Sequence, residues 1–357
     1  MIRVDSAGYP VTIGRGLLDE AGPLLPPGRQ FIVTDENVES AGWPARIAAA
    51  AGPRLLGIRV LPPGEGSKNI HELERLLDAL LEAGVERGDC VIAVGGGVIG
   101  DLAGFAAAVL KRGCGFVQVP TTLLAQADAA IGGKTAINSR QGKNLIGAFH
   151  RPEAVLIDIA TLETLPPSEL RSGYAEVVKY GLIGNPGFFG WCEAHAEALL
   201  AGDETARLHA VATSVRAKIA IVARDERDTG GPRALLNFGH SFAHAIEAET
   251  GMAHGEAVAL GMTLAFRLSA QRGLCQPADA ERVSTHLRAV GLPTRLEATD
   301  PAALVARMAH DKKRRHGLLR LVLARGIGEA FVEEGVEPAQ VEAFLERELS
   351  SAGLPVA

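Results

Sequence analysis

Cysteine is scarce in this chain. The 357 residues include four cysteines, Cys90, Cys114, Cys192 and Cys275, and no two of them form a C-x-x-C pair. Disulfide frameworks and structural zinc ribbons both need clustered cysteines, so neither is predicted. A reducing cytoplasm is therefore the expected location of the protein.

Basic residues are not in excess, and long apolar runs are missing. The chain has 36 lysines and arginines against 42 aspartates and glutamates, a net charge of −6. Because binding of a polyanion needs a basic surface, nucleic acid is not an expected partner. No apolar run reaches membrane-spanning length, and the first residues, MIRVDSAGYPVTIG, lack a basic stretch followed by an apolar one. Neither a membrane segment nor a signal peptide is expected.

What the chain does have is length and apolar content. At 357 residues and 47% apolar composition it exceeds what one hydrophobic core usually serves, so two domains are expected. Up to about residue 160, short apolar strands alternate with helical stretches. This alternation predicts a parallel sheet covered by helices on both faces. After an initial hairpin over residues 2–13, the predicted strands are RQFIVTD, Leu55–Leu61, CVIAV, GFVQV and AVLID.

The pattern changes after about Thr161. From there the periodicity is mostly helical, with one exception, LLRLVLARGIGEAFV, which is predicted to form a small hairpin. The predicted domains are therefore an α/β domain over residues 1–160 and a largely α-helical domain over residues 161–357.

Three histidines lie close together in NFGHSFAHAIEAETGMAHGEAVALGM, residues 237–262. His240 and His244 are one helical turn apart and project from the same side, and His254 follows a break at Gly251. Imidazoles grouped in this way are typical of a divalent metal site of the zinc type. Buried histidines that only complete hydrogen bonds in a core are the alternative, and spacing alone does not select the ligands.

A glycine-rich loop, GGGVIG at Gly95–Gly100, follows a predicted strand and precedes a predicted helix. In that context glycines let the backbone approach a pyrophosphate near a helix N-terminus. No acidic residue follows about twenty positions later, where one would hold the ribose. Asp35 ends an earlier strand, and Glu65 and Lys68 lie on a loop after another. The sheet is thus predicted to bind a dinucleotide with a different strand order, unless the glycine turn is purely structural.

Several cations stand in segments rich in glycine or apolar residues, where surface lysines are not usual. They are Lys134, Lys143, Lys179, Lys218, Arg233 and Lys312. Gly132 and Gly133, just before Lys134, suggest an anion-binding backbone nest. Lys179 lies three residues after Glu176 on a predicted half-buried helix face. In an acidic protein this set predicts a multiply charged anionic ligand, although lysines that extend to solvent over apolar surface would look similar.

Eight motifs, in order, resemble those of 3-dehydroquinate synthases, members of the sugar-phosphate cyclase family. They are PGEGSK (63–68), GGGVIGD (95–101), KRG (111–113), PTTLLAQ (120–126), IGGKTAIN (131–138), GKNLIGAF (142–149), ELRSGYAEVVKYGLI (169–183) and RALLNFGHSFAHAIE (233–247). The resemblance covers about residues 34–323. It implies a Rossmann-like α/β domain that binds NAD, followed by an α-helical domain that binds metal and substrate.

The resemblance also implies ligands for the metal and the nucleotide. Glu176, His240 and His254 match three ligands of zinc or cobalt, whereas His244 matches a substrate contact, so His240 and His244 are not a chelating pair. The positions that match NAD contacts are Asp35, Asn37, Glu65, Lys68, Gly96, Gly97, Val98, Asp101, Thr121, Thr122, Lys134 and Lys143.

The implied substrate is 3-deoxy-D-arabino-heptulosonate 7-phosphate, which carries a carboxylate and a phosphate. The residues that match phosphate contacts are Lys134, Asn144, Lys312 and Arg112, the last reaching from the neighbouring subunit of a homodimer. Lys143 matches a further substrate contact. Lys218 and Arg233 match carboxylate contacts. Those that match catalytic positions are His244, Lys134, Asn237, Lys179 and Asp128.

The chain departs from the family pattern at three places. ADAAIGGKT has Ala129 and Ala130 where the family often has serines, FAH replaces the commoner FGH, and the loop DERDTGGPR is one residue longer, which leaves the role of Asp228 open. Three other functions are alternatives: a 2-deoxy-scyllo-inosose or valiolone-type synthase, a metal-dependent polyol dehydrogenase, and a nucleotide-binding module without activity. Lys218 and Arg233 argue against the first, whose sugar phosphates carry no carboxylate.

Overall fold

The computed structural model of this chain describes residues 1–6, 8–297, 299–311 and 317–352. Lys312, expected as a phosphate contact, lies outside the described residues. Contacts between Cα atoms group the chain into two compact units, Met1–Leu170 with Gly202–Arg227 and Arg171–Ala201 with Asp228–Ala357. The predicted domains were assigned by ligand, with residues 1–160 expected to bind NAD and residues 161–357 expected to bind metal and substrate. This assignment stays a prediction.

The first unit is built on a seven-stranded sheet. Its strands are β1 Ile2–Ser6, β2 Tyr9–Gly14, β3 Gln30–Asp35, β4 Leu55–Leu61, β5 Cys90–Gly95, β6 Gly115–Pro120 and β9 Ala154–Asp158. Their order is β1-β2-β9-β6-β5-β3-β4. All neighbouring strands are parallel except β1 and β2, which form the predicted antiparallel hairpin. The predicted α/β sheet is therefore confirmed.

The strand order places a crevice at one point of this sheet. The chain passes from β3 to β4 on one side and then returns to lay β5 on the other side of β3. At such a switch point the connections that leave the carboxyl ends of the two strands run in opposite directions, which leaves room for a ligand between them. The order differs from that of the usual dinucleotide fold, as the position of Asp35 upstream of the glycines predicted.

Helices cover both faces of the sheet because its strands are apolar on both sides. The helices of this unit are α1 Glu36–Ser40, α2 Trp43–Ala51, α3 Ile70–Glu82, α4 Gly97–Val109 and α7 Glu204–Val222. Phe31 and Val33 of β3 belong to the core under α3 and α4, and Ile32 between them belongs to the core under α2. This alternation follows from the two-residue period of a strand. Helix α4 starts at Gly97, inside the glycine motif, and not after it as expected.

A second hairpin, β7 Lys134–Ser139 and β8 Gly142–Phe149, was not predicted from the sequence. Strand β7 lies against α4, where a Cβ on Gly104 would come within 2.5 Å of Cγ2 of Thr135. Strand β8 leaves Leu145 and Phe149 exposed. An exposed strand with glycines and lysines does not show the apolar alternation by which strands are recognised, which explains the omission.

The second unit is mostly helical, as predicted. Its helices are α5 Pro167–Gly184, which enters this unit at Arg171, α6 Pro186–Ala201, α8 His240–Thr250, α9 His254–Gln271, α10 Pro277–Ala289, α11 Pro301–Asp311 and α12 Pro338–Ala352. Five of them begin with proline, which has no N–H to lose in the first turn and a φ already suited to a helix. The predicted late hairpin is confirmed as β10 Leu319–Ala324 paired with β11 Ala330–Val336. Within the described residues, no helix is both long and apolar enough to cross a membrane.

Candidate active site

The predicted nucleotide-binding residues lie where parallel strands of the first unit end. Asp35 is the last residue of β3, Gly96 follows β5, Thr121 follows β6, and Lys68 lies on the loop after β4. The carboxyl ends of these strands share one edge of the sheet, so the structure brings these residues to one edge. Asp35 accepts hydrogen bonds from the N–H groups of Asn37 and Val38, both at 3.0 Å, and so caps α1.

Packing explains some glycines of the loop but not all. A Cβ on Gly95 would lie 2.7 Å from Ile99, and one on Gly100 would lie 2.5 Å from Oε1 of Gln118. A Cβ on Gly97 would meet only Cβ of Ala129, at 3.5 Å, which is an ordinary contact. A structural turn thus accounts for Gly95 and Gly100, whereas Gly97 at the start of α4 is not required by packing. Close approach of a ligand to the backbone is the remaining reason for this glycine.

Hydrogen bonds join the nucleotide loop to the hairpin β7–β8. The buried Nζ of Lys68 donates to Oδ2 of Asp101 and to Oδ1 of Asn144, both at 2.5 Å. Nδ2 of Asn138 donates to Oε1 of Glu65 at 2.7 Å. Burial raises the pKa of Asp101 above its ordinary value, and the charge of Lys68 opposes this. Residues expected to contact NAD and residues expected to contact phosphate therefore form one connected group.

The expected phosphate-binding residues of this unit are exposed, and so is Lys143. Lys134 begins β7, Lys143 and Asn144 lie on β8, and Arg112 lies in the turn after α4. Arg112 has a φ of 67° and Asn144 a φ of 58°, values that L-residues adopt at a cost of order 1–3 kcal/mol. The nest expected at Gly132 and Gly133 is only partly available, because the N–H of Gly132 donates to the hydroxyl of Tyr9 at 3.0 Å.

Lys218 and Asp128 are adjacent in the first unit. The buried Nζ of Lys218 on α7 donates to the backbone oxygen of Asp128 at 2.6 Å and to its Oδ2 at 2.9 Å. Asp128 lies in a π-helical turn, Ala125–Ala129, a rare geometry often found at functional sites. The structure thus brings together a residue expected to bind the substrate carboxylate and one expected in catalysis.

In the second unit, Glu176, His240 and His254 converge. Their ligand atoms all lie within 4.8 Å of one another, and Nε2 of each histidine lies 3.5 Å from Oε1 of Glu176. Two ligands at zinc distances in a tetrahedral arrangement are about 3.3 Å apart, so the spacing fits a metal ion. One carboxylate and two imidazoles are also the donor set of several catalytic zinc sites that keep a fourth position open. The three residues therefore fit the expected metal.

In both histidines Nδ1, the ring nitrogen that does not face Glu176, has a hydrogen-bonding partner. Nδ1 of His240 lies 3.2 Å from the backbone oxygen of Phe238, and Nδ1 of His254 lies 2.6 Å from Oε1 of Glu247. Partners of this kind fix the ring orientation and the tautomer of metal-binding histidines. The ring of His244 lies 5.5 Å from that of His240 between centroids, but this residue is outside the converging group.

The protonation of the two histidines differs in the metal-free protein. Burial lowers the pKa of His240 to about 3, although Glu176 favours the charged form. Burial also opposes charge on His254, but hydrogen bonds with Glu176 and Glu247 raise the pKa of this ring to about 9. Because a metal ion needs neutral imidazoles, its binding would release a proton from His254.

Close helix contacts align the three converging residues. A Cβ on Gly255 would lie 2.0 Å from the backbone oxygen of Ser172 on α5, and the N–H of Gly255 donates to Oγ of Ser172 at 3.0 Å. A Cβ on Gly261 would lie 2.2 Å from the backbone oxygen of Gly239. Helix α9 therefore packs backbone to backbone on α5 and on the start of α8, which brings its first residue, His254, to Glu176.

Three further predicted residues lie in the second unit. Lys179 is buried on α5 and forms an ion pair with Glu176, as their spacing suggested. Arg233 is buried, and Asn237 half-buried, in a short 3₁₀ helix that ends three residues before His240. Glu247 was not predicted from the sequence as a site residue. The available signal was its position, seven residues after His240, on the same face of α8.

Models of known families match most of the chain. The model described as "3-dehydroquinate synthase N-terminal" matches residues 58–172, and the one described as "3-dehydroquinate synthase C-terminal" matches residues 173–314. A 3-dehydroquinate synthase of Zymomonas mobilis subsp. mobilis is 50% identical over 99% of this chain and 96% of its own length.

Solved structures show the same fold. A 2-epi-5-epi-valiolone synthase from Streptomyces hygroscopicus subsp. jinggangensis, with NAD+ and Zn2+ bound, is 31% identical over 97% of this chain and 98% of that chain, with a TM-score of 0.86. A 2-deoxy-scyllo-inosose synthase complexed with carbaglucose-6-phosphate, NAD+ and Co2+ has a TM-score of 0.87 over 98% of this chain and 100% of that chain, at 24% identity.

Proposed function

The chain belongs to the 3-dehydroquinate synthase family, and from that premise we propose how its residues share the work of the reaction. The enzyme converts 3-deoxy-D-arabino-heptulosonate 7-phosphate to 3-dehydroquinate and phosphate in the shikimate pathway, with NAD and a divalent metal as cofactors. The main support for the proposed roles is the convergence of Glu176, His240 and His254. Nδ1 of each histidine also has a hydrogen-bonding partner, the backbone oxygen of Phe238 for His240 and Glu247 for His254.

These three residues are proposed to hold the metal. When bound, NAD exchanges hydride with C5 of the substrate, and the metal, as a Lewis acid, polarises the oxygen on that carbon. The buried Lys179 beside Glu176 is proposed to donate a hydrogen bond to the same substrate oxygen. His244 and Asn237, near the metal ligands in sequence, are proposed to orient hydroxyl groups and to move protons between them.

Elimination of phosphate needs a proton to leave C6. That proton is acidic once C5 is a ketone, and we propose that the phosphate itself accepts it, because it is tethered nearby. Lys134 and Asn144 of the hairpin β7–β8 are proposed to hold the phosphate, together with Lys312, and Lys143 is proposed as a further substrate contact. Reduction of C5, ring opening and an intramolecular aldol reaction then close the carbocycle. Held by the residues of the nucleotide loop, NAD would supply for this reduction the hydride taken from C5, so no net NADH would form.

Lys218 and Arg233 stay the proposed carboxylate-binding residues. Both are buried, and Lys218 forms an ion pair with Asp128. Asp128, which accepts the hydrogen bonds of Lys218, is proposed to fix that ammonium group and to contact the substrate. A substrate that carries a carboxylate is thereby distinguished from the sugar phosphates of related cyclases, which lack one.

A phosphate-release assay tests this function. The metal-loaded enzyme should release phosphate from 3-deoxy-D-arabino-heptulosonate 7-phosphate and form 3-dehydroquinate without net production of NADH. Sedoheptulose 7-phosphate, which has no carboxylate, should give no turnover. Turnover of sedoheptulose 7-phosphate alone would indicate a valiolone-type synthase. NADH formed in proportion to product would indicate a polyol dehydrogenase.

We also propose a homodimer in which Arg112 contacts the phosphate bound by the other subunit. Its exposed side chain and left-handed backbone in the turn after α4 support a role outside its own fold. Mixed dimers test this proposal. The variants Arg112→Ala and His240→Ala should each be nearly inactive, but a dimer of one with the other should regain one complete site. If Arg112 served its own subunit, the mixed dimer would stay inactive.

A further inference from the structure

Glu247 is a buried carboxylate outside the converging group of Glu176, His240 and His254. Its exposed fraction is 8%, and its Oε1 lies 2.6 Å from Nδ1 of His254. A buried carboxylate is costly unless it is paired, so its retention beside a metal-binding ring calls for an explanation. The short distance is typical of a strong hydrogen bond to a charged acceptor.

The backbone holds Glu247 in place for this contact. Glu247 lies in the last turn of α8, and its backbone oxygen accepts the N–H of Gly251 at 2.9 Å. Gly251 ends the helix with a φ of 72°, and after Met252 and Ala253 the chain begins α9 at His254. This short connection brings the ring of His254 back against the helix that precedes it.

Helix α8 therefore contains one proposed metal ligand, His240, and the residue that contacts another, His254. His240 is the first residue of α8, and Glu247, two turns later on the same face, contacts the ring of His254. A carboxylate at Nδ1 of His254 keeps a hydrogen on that nitrogen and directs Nε2 toward Glu176, so that Nε2 is the nitrogen that gives up its proton to a metal. Nε2 is the atom that a metal held by Glu176 would need.

We propose that Glu247 is a positioning residue for the metal centre. It fixes the orientation of the His254 ring and keeps a hydrogen on Nδ1, so that the Nε2 atoms of His240 and His254 face the same point before a metal arrives. It does not itself contact metal or substrate. The inference rests on the metal role of the three ligands proposed above, and the experiment below separates the two.

Cobalt binding measures the effect directly. Apo protein would be titrated with Co2+ against a chelator of known affinity, with the visible absorption of the bound ion as the readout. The wild-type protein should bind one ion, and His240→Ala should bind it far more weakly. Glu247→Ala should weaken binding 10- to 100-fold, as loss of such partners typically does, and should shift the cobalt spectrum. Glu247→Gln, which keeps an acceptor without the charge, should fall between wild type and Glu247→Ala.

The matched control is Glu249→Ala. Glu249 lies on the same helix, is exposed and pairs with Arg307 at 2.6 Å. Its loss should leave cobalt affinity and spectrum unchanged. If Glu247→Ala bound cobalt like Glu249→Ala while His240→Ala lost binding, Glu247 would have no positioning role, although the metal site would stand. If His240→Ala bound cobalt like the wild type, the metal site itself would be wrong.

Discussion

The proposed metal-ligand group of the second unit and the proposed phosphate-binding hairpin of the first unit are built in opposite ways. Glu176, His240 and His254 lie on helices that touch backbone to backbone, with glycines at the points of contact. The hairpin residues Lys134 and Asn144 are exposed on a two-stranded ribbon, and the side chain of Asn144 accepts a hydrogen bond from Lys68. A metal tolerates little error in ligand position, whereas a phosphate tolerates several arrangements of flexible cations. Substitutions should therefore damage folding in the first group and binding alone in the second.

The largest effect is expected for Gly255→Ala. The added Cβ would lie 2.0 Å from the backbone oxygen of Ser172, so α9 must move away from α5. Overpacking of this kind costs about 3 kcal/mol or more, because backbone atoms have no other rotamer to adopt. Urea unfolding of the metal-free protein should show this loss, and cobalt titration should show weaker metal binding.

Gly190→Ala is the matched control for that helix contact. Gly190 lies inside α6 of the same unit, and a Cβ there would have no atom within 4 Å. Alanine should leave the free energy of unfolding unchanged or raise it by up to about 1 kcal/mol, because glycine disfavours a helix. Equal effects of the two substitutions would mean that the contact between α9 and α5 does not hold the metal ligands.

Lys134→Ala should act on binding and not on folding. The side chain is exposed, so urea unfolding should be unchanged, while one charged contact to the substrate phosphate is lost. Such a contact contributes about 1.5–3 kcal/mol, which corresponds to a 10- to 100-fold loss in kcat/KM. Steady-state phosphate release measures it. Arg140→Ala, at the exposed turn of the same hairpin, should change neither quantity. Unchanged kinetics in Lys134→Ala would place the phosphate elsewhere.

The sequence predicted the two groups unequally. The grouping of His240, His244 and His254 pointed to a metal without selecting its ligands. Glu176, more than sixty residues earlier, was expected as a ligand only through the resemblance to a known family. The periodicity of the sequence does not show that α5 places the carboxylate of Glu176 beside the rings of His240 and His254. That arrangement depends on how α5, α8 and α9 pack together. For the same reason the backbone contact between Gly255 and Ser172 could not be predicted from the sequence.

The fold was more predictable than the contacts between its elements. Strands such as β3 and β5 were found because uninterrupted apolar runs are typical of buried parallel strands. The position of Asp35 predicted only that the strand order departs from the usual dinucleotide fold, and the order itself was not predicted, since crossover connections leave no local pattern in the sequence. The hairpin β7–β8 was missed because β8 faces solvent, and Glu247 was missed because its role depends on a ring that follows a helix break.

Lys68→Met should have an intermediate effect on NAD affinity, because it removes the hydrogen bond that joins the loop after β4 to the hairpin β7–β8. The substitution removes hydrogen bonds to Asp101 and Asn144, both 2.5 Å long, and leaves the half-buried Asp101 without its cation. NAD binding, measured by calorimetry, should weaken about tenfold, since a hydrogen bond to a charged group contributes about 1.5–3 kcal/mol. A cycle with Asn144→Ala should show a coupling of about 0.5–3 kcal/mol. Additive effects would mean that the two loops act independently.

The smallest effect is expected for Ala129→Ser, which restores one hydroxyl common in the family. Ala129 is half-buried, and its Cβ lies at the distance of an ordinary contact, 3.5 Å, from where a Cβ on Gly97 would be. A serine there can keep its hydroxyl in water, so NAD affinity should change by less than about threefold, within the roughly 0.5 kcal/mol of most surface changes.

Ala130 is 3% exposed, and Ala130→Ser would bury a hydroxyl at a cost of about 1–3 kcal/mol unless it finds a partner. Urea unfolding should therefore separate the two serines. If Ala130→Ser were neutral in unfolding but raised kcat/KM, the buried hydroxyl would have found a partner in the site, and the alanines would mark a lost contact with the ligand.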